Sequence, residues 1–163
     1  MPEIRVRRAT AEDYPAAGAV TLAAYQPFLR GPDDDYAAWL VDAAARDAEA
    51  ELWVAVGDGG DLLGCVTLCP PGSPWREIAR DDEGEFRMLA VSPDAQGRGV
   101  GRALVQLVLD RFHGDGAAAV VMSSLAEMRT AHRLYERLGF TRLTERDWHP
   151  LPEITLIAFR RTL

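Results

Sequence analysis

Apolar and polar residues alternate from Ile4 to Arg8, the period of a half-buried strand, and Thr10-Ala11-Glu12-Asp13 then has the form of a capping box that opens a helix. Tyr14, Gly18, Thr21, Leu22 and Tyr25 fall along one stripe of that helix, which Gln26-Pro27 ends because the residue before proline avoids helical dihedrals. Asp33 to Asp35 predict the start of a second helix, with Tyr36, Trp39, Leu40, Ala43 and Ala44 on its inner face and its end near Ala48. Leu52–Val56 and Leu62–Leu68 flank Gly57-Asp58-Gly59-Gly60 as an antiparallel hairpin. Pro70 to Gly84 is rich in proline, glycine and acid and reads as a long loop, a kind that is often functional. Phe86–Val91 is a strand that stops at Ser92-Pro93-Asp94, and Val100, Ala103, Leu104, Leu107, Val108 and Phe112 have the spacing of a helix's buried face. Ala117–Ser123 is short enough for a buried strand, and Glu127–Leu138 is a helix with Met128, Ala131, Leu134, Tyr135 and Leu138 inward. Gly139 and Phe140 supply its stop, and Ile154–Arg160 is the last strand. The order β-α-α-β-β-(loop)-β-α-β-α-β predicts a mixed α/β sheet rather than a doubly wound one.

Three kinds of local signal meet between Glu85 and Arg102. A strand is followed by glycines on alternate positions, Gly97, Gly99 and Gly101, and a helix begins at once. That order leaves unpaired backbone N–H groups at a positive helix start, with no side chains to hold an anion away. A phosphate fits such a place. A Walker loop needs Gly-Lys-Ser/Thr, which the chain lacks, and a dinucleotide G-x-G-x-x-G fails because Arg102 stands where its third glycine belongs.

At 163 residues the chain suits one domain over positions 1–163. Its net charge of −7 disfavours nucleic acid as a partner, since that affinity rests on Lys and Arg neutralising phosphates. Cys65 and Cys69 lie four residues apart in one strand, about 13 Å, beyond disulfide reach, and read as buried thiols. His113, His132 and His149 have no metal-ligand spacing. No apolar run approaches the length of a membrane span or a signal-peptide core, so no membrane partner and a cytoplasmic location are expected.

Gln96-Gly97-Arg98-Gly99-Val100-Gly101, directly after Leu89-Ala90-Val91, closely resembles the Q/R-x-x-G-x-G pyrophosphate loop of the GNAT superfamily of acyl-CoA-dependent N-acyltransferases. Leu134-Tyr135-Glu136-Arg137-Leu138-Gly139-Phe140 resembles the same family's L-Y-E-x-x-G-F helix end, and the order of elements matches the GNAT fold over essentially the whole chain. The resemblance implies acetyl-CoA as co-substrate, no metal, and main-chain N–H groups from Gln96 to Arg102 on its pyrophosphate. Arg98 and Arg102 either add charge there or are solvated flanks. It further implies that the strand at Phe86–Val91 splays from the one at Ala117–Ser123, so that the main chain of Leu89, Ala90 and Val91 meets the pantetheine and the thioester oxygen.

An acceptor ammonium has a pKa near 10 and must lose a proton before it attacks. The resemblance implies Glu85 as that base and Tyr135 as the acid that protonates the leaving thiolate. Alternation puts Glu85, Arg87, Leu89 and Val91 on one face unless a bulge intervenes, and the roughly 13 Å from Glu85 to Leu89 calls for a water relay. Otherwise Glu85 is a solvated strand-entry residue or a partner of Arg87. Met128 stands where many members have an asparagine near the sulfur, so that contact is absent or comes from Ser123 or Ser124. The loops at 25–35 and 70–83 are where the family shapes its acceptor site, and Phe28, Trp75, Asp33 to Asp35 and Asp81 to Glu83 suit a cationic amine, whether small molecule or peptide. The implied activity is N-acetyl transfer to a primary amine by direct attack; the alternative is a CoA-binding regulatory or interaction module. A homodimer is implied by family habit alone.

Overall fold

Strands β1 (Arg5–Arg8), β2 (Glu51–Val56), β3 (Leu62–Cys69) and β4 (Glu83–Val91) pair antiparallel in succession in the computed structural model, which describes residues 3–163. The sheet continues through β5 (Ala119–Leu125) to β8 (Ile154–Thr162), which also pairs β6 (Thr141–Arg142) and β7 (Trp148–Leu151). Among the described strands only β4 and β5 run parallel, and their pairing stops after Glu83–Ala119, Gly84–Val120 and Glu85–Val121. Beyond Glu85 the two strands diverge with no strand between them. The mixed α/β sheet and its splay are those that the resemblance implies.

Helices α1 (Tyr14–Tyr25), α2 (Tyr36–Val41) and α3 (Ala43–Glu49) cover one face, where Ala17 and Ala43 pack with Leu52, Val54 and Cys65. α4 (Val100–Gly114) and α5 (Arg129–Arg137) cover the other. The apolar stripe of α4, including Leu104, Val108 and Phe112, is buried against Val66, Phe86 and Val120, at roughly 1.5–3 kcal/mol per large side chain. The opening signal forms as a short 3-10 turn at Ala11–Asp13, with the Asp13 carboxylate accepting the Thr10 N–H at 2.7 Å, before α1 begins. At the end of α5, Phe140 N–H reaches Tyr135 O at 3.0 Å and Gly139 N–H reaches Glu136 O at 3.1 Å, with Gly139 at φ +91°: the predicted Schellman stop. No helix among the described residues is long and apolar enough to cross a membrane.

Two features depart from the sequence pattern. The predicted second helix is broken at Asp42 (φ −84°, ψ 68°), whose side chain accepts Ala45 N–H and so caps α3. Arg46, fully buried, reaches back to Trp39 O and Leu40 O at 3.0 and 2.7 Å and satisfies the end of α2. The break turns Tyr36 and Trp39 outward, 36% and 57% exposed, while Leu40 stays buried. In β4, Met88 sits at φ +53° and the register against β3 gains one residue between Arg87 and Ala90. This bulge switches the alternation, so that Phe86, Leu89 and Val91 pack toward α4 while Met88 packs with Leu40 and Trp75 on the opposite side. Glu85, Arg87, Leu89 and Val91 therefore do not share a face.

Candidate active site

The divergence of β4 and β5 opens a cleft of about 870 Å³. Met88 and Leu89 form one wall, Met122 to Leu125 the other, and Tyr135 closes the inner end; Tyr25 to Arg30, Tyr36, Trp39 and Pro150 to Ile154 form the outer half. Tyr135 is 4% exposed and stands in a ring of aromatics, 5.9 Å from Phe86, 6.0 Å from Phe140 and 5.8 Å from Phe159. Burial pushes its hydroxyl pKa well up, so it stays protonated and available as a donor.

The glycine loop lies at the open end of the splay, immediately after β4. Gln96, Gly97, Arg98, Gly99 and Arg102 are exposed, Gly101 is half-buried and Val100 is buried. Gly97 and Gly99 adopt φ of +76° and +83°, values only glycine takes without strain, and a Cβ on either would meet nothing within 4 Å. Gly101 is there for a different reason, since a Cβ would come within 3.0 Å of Leu134 on α5. The first helical N–H to find a backbone acceptor is that of Ala103, on Gly99 O at 3.0 Å, which leaves those of Val100, Gly101 and Arg102 without a backbone partner.

Glu85 is placed away from the cleft. It is fully buried, and its carboxylate accepts the N–H groups of Glu77, Ile78 and Ala79 at 2.9 to 3.1 Å. Burial raises its pKa, and the three N–H groups partly offset that. It fastens the long loop to β4 and does not line the cleft. Glu77, one of the residues Glu85 holds, lines the cleft instead, its carboxylate 3.1 Å from Arg87 Nε. Burial pushes Glu77 up and the Arg87 charge only partly restores it. Arg87 also donates to Trp75 O and to the Tyr36 hydroxyl, both at 3.3 Å, and lies 5.4 Å over the Trp75 ring.

Of the positions expected at the acceptor site, Phe28, Asp34 and Asp35 line the cleft. Trp75 is buried behind it, and Glu83 is held between Arg146 and Arg160 at 2.6 and 3.2 Å. Met128, half-buried at the head of α5, and Ser123 and Ser124 all line the β5 side. Ser123 Oγ accepts from Trp148 Nε1 at 3.2 Å. His132 Nε2 is 3.0 Å from both Ser124 Oγ and Leu125 O. A carbonyl only accepts, so Nε2 carries the proton toward Leu125 O, and the Ser124 hydroxyl also turns to that carbonyl at 3.5 Å. Cys65 and Cys69 are buried free thiols, as expected, the latter pushed up to about 12 by burial.

The profile of the acetyltransferase (GNAT) family matches residues 11–140. The chain belongs to that family. Among curated proteins, this GNAT chain is 34% identical over 143 residues to mycothiol acetyltransferase of Cellulomonas flavigena, covering 73% of this chain and 40% of that protein. It is also 34% identical over 110 residues to N-acetylaspartate synthetase of Rattus norvegicus, covering 68% and 34%. The chain therefore spans well under half the length of these two relatives. A GCN5-related N-acetyltransferase structure from Kribbella flavida superposes with a TM-score of 0.72 at 25% identity, covering 98% of each chain.

Proposed function

We propose that this GNAT chain transfers the acetyl group of acetyl-CoA to a primary amine by direct attack. The observation that carries this reading is the meeting of a phosphate-suited glycine loop, an unpaired β4 edge and the Tyr135 hydroxyl along one splay. The pyrophosphate rests on the N–H groups from Gln96 to Arg102 and the pantetheine runs along Leu89, Ala90 and Val91. The ammonium gives up a proton to Glu77, directly or through water, and the neutral nitrogen attacks the thioester carbon, with the β4 main chain polarising the carbonyl. As the C–N bond forms and the C–S bond breaks, the nitrogen loses its second proton to solvent and the sulfur takes one from Tyr135, which solvent then replaces. Ser123 or Ser124 supplies the polar contact that Met128 cannot.

The competing reading, a CoA-binding module without turnover, gains from one observation: the expected base Glu85 is consumed by the loop. Glu77 answers it, as a part-buried carboxylate that lines the cleft and pairs with Arg87 of β4. Thiol release from acetyl-CoA in the presence of a broad amine panel decides between them. Tyr135→Phe is expected to lower kcat about 100-fold while leaving the Kd for CoA within about twofold, since a general acid contributes on the order of 10²–10⁴. Equal turnover in the variant removes Tyr135 as the acid.

A further inference from the structure

The outer half of the cleft combines exposed apolar surface with excess negative charge. Tyr36, Trp39 and Leu151 are among the few large apolar side chains that stay exposed, at 36%, 57% and 41%, and all line this opening. Trp39 is held edge-on against the buried Trp75 with ring centroids 5.6 Å apart, so its outward face is fixed rather than free to fold away. Apolar surface gathered at the mouth of a pocket marks a ligand that covers it.

The charges say what that ligand carries. Asp34, Asp35, Glu77, Glu127 and Glu153 line the cleft against two arginines, and both arginines are engaged. Arg30 Nη1 lies 2.6 Å from Glu153 and its Nε 3.6 Å from Asp34, while Arg87 is taken up by Glu77, Tyr36 and Trp75. A carboxylate or phosphate on the acceptor would meet no unpaired cation among the described residues of the cleft and would face several carboxylates. An ammonium is attracted by the same surroundings.

We infer that the acceptor is a small amine on an apolar body, aromatic or long aliphatic, that bears no carboxylate. The ammonium points inward toward Glu77, and the body lies against Tyr36, Trp39 and Leu151. The inference rests on the acetyltransferase reading for its chemistry. It separates this chain from the relative named for N-acetylaspartate, whose product carries two carboxylates.

The test compares three probes that differ by one group each: 2-phenylethylamine, phenylalanine, which adds a carboxylate, and ethylamine, which removes the ring. With acetyl-CoA saturating, kcat/KM for 2-phenylethylamine is expected to exceed each of the others by at least about tenfold, the scale of one well-buried aromatic contact or one unpaired charge. Trp39→Ala is expected to lower kcat/KM for 2-phenylethylamine by about tenfold with the Kd for CoA unchanged, the latter reporting that the fold survives loss of the Trp75 contact. Phenylalanine or ethylamine turned over as well as 2-phenylethylamine, or an unaffected Trp39→Ala, overturns the inference. If no amine is acetylated, calorimetry on the CoA-loaded protein separates the two failures. Tighter binding of 2-phenylethylamine than of phenylalanine keeps the ligand class and sinks only the transferase reading; equal or absent binding sinks both.

Discussion

Glu77 and Glu85 lie eight residues apart, and their surroundings assign them opposite tasks. Glu85 has its oxygens filled by three N–H groups, whereas Glu77 has a single cationic partner and an open side on the cleft. Replacing Glu85 by Gln turns an NH₂ group toward backbone donors. Hydrogen bonds to a charged group are worth about 1.5–3 kcal/mol each, so the loop is expected to loosen and the urea midpoint to fall. Glu77→Gln keeps an acceptor for Arg87 but loses the charge pair, so it should lower the urea midpoint less than Glu85→Gln and lower kcat by about 100-fold, as for loss of a general base. The sign of its pH dependence follows from the raised pKa of Glu77. A base works deprotonated, so wild-type kcat falls as pH drops through that raised value, and the Gln variant should lose this limb. A wild-type acid limb in Glu77→Gln would assign the proton to another group.

At the scale of elements, the glycine turn tests the donor side. Gly99 precedes α4 at φ +83° with open space around its missing Cβ, so Gly99→Ala meets backbone strain and no clash. Left-handed backbone costs a non-glycine residue about 1–2 kcal/mol, which the loop relieves by rotating its N–H groups off the phosphate. The expected result is a Kd for CoA raised at least about tenfold by calorimetry, with a melting temperature close to wild type. This loop was legible in the sequence because a turn, a glycine and a helix start are adjacent in the chain. So were the hairpin at Gly57–Gly60, the stop at Gly139 and the position of Tyr135. What was not legible depends on partners far along the chain. The break at Asp42 needs Arg46 to close the end of α2, and the bulge at Met88 shows only in pairing with β3. Glu77 reaches the cleft because Glu85 holds its loop, and Trp39 faces outward because the helix breaks. The strands β6 and β7 are short and form only by pairing with β8, which leaves them without a periodic signature of their own.

The whole molecule depends on how firmly the closed end of the splay is held. β4 and β5 share just the pairs from Glu83 to Glu85 before diverging, and Glu83 sits at the first of these, 3% exposed. Its carboxylate joins three parts of the chain: Arg80 N–H from the long loop, Arg146 ahead of β7, and Arg160 on β8. Burial alone would raise its pKa, but the hydrogen bonds from Arg146, Arg80 and Arg160 and the charge of Arg146 outweigh it and bring Glu83 down from 4.5 to about 2. A carboxylate whose pKa is depressed by folding stabilises the fold above its unfolded pKa, and that contribution is lost as pH falls through the folded value. The window here runs from about pH 4.5 down to about 2. Urea unfolding between pH 6 and pH 2 should therefore show a steep acid loss in the wild type. Asp13, also held at about 2, chiefly by Arg7, contributes in the same window. Glu83→Gln should start lower at pH 6, because Arg146 and Arg160 lose their shared partner, and fall less steeply toward pH 2. Because the three-residue pairing is also the base of the cleft, the same variant should raise KM for both substrates more than it lowers kcat. An unchanged acid slope in Glu83→Gln would move the acid-sensitive lock elsewhere in the fold.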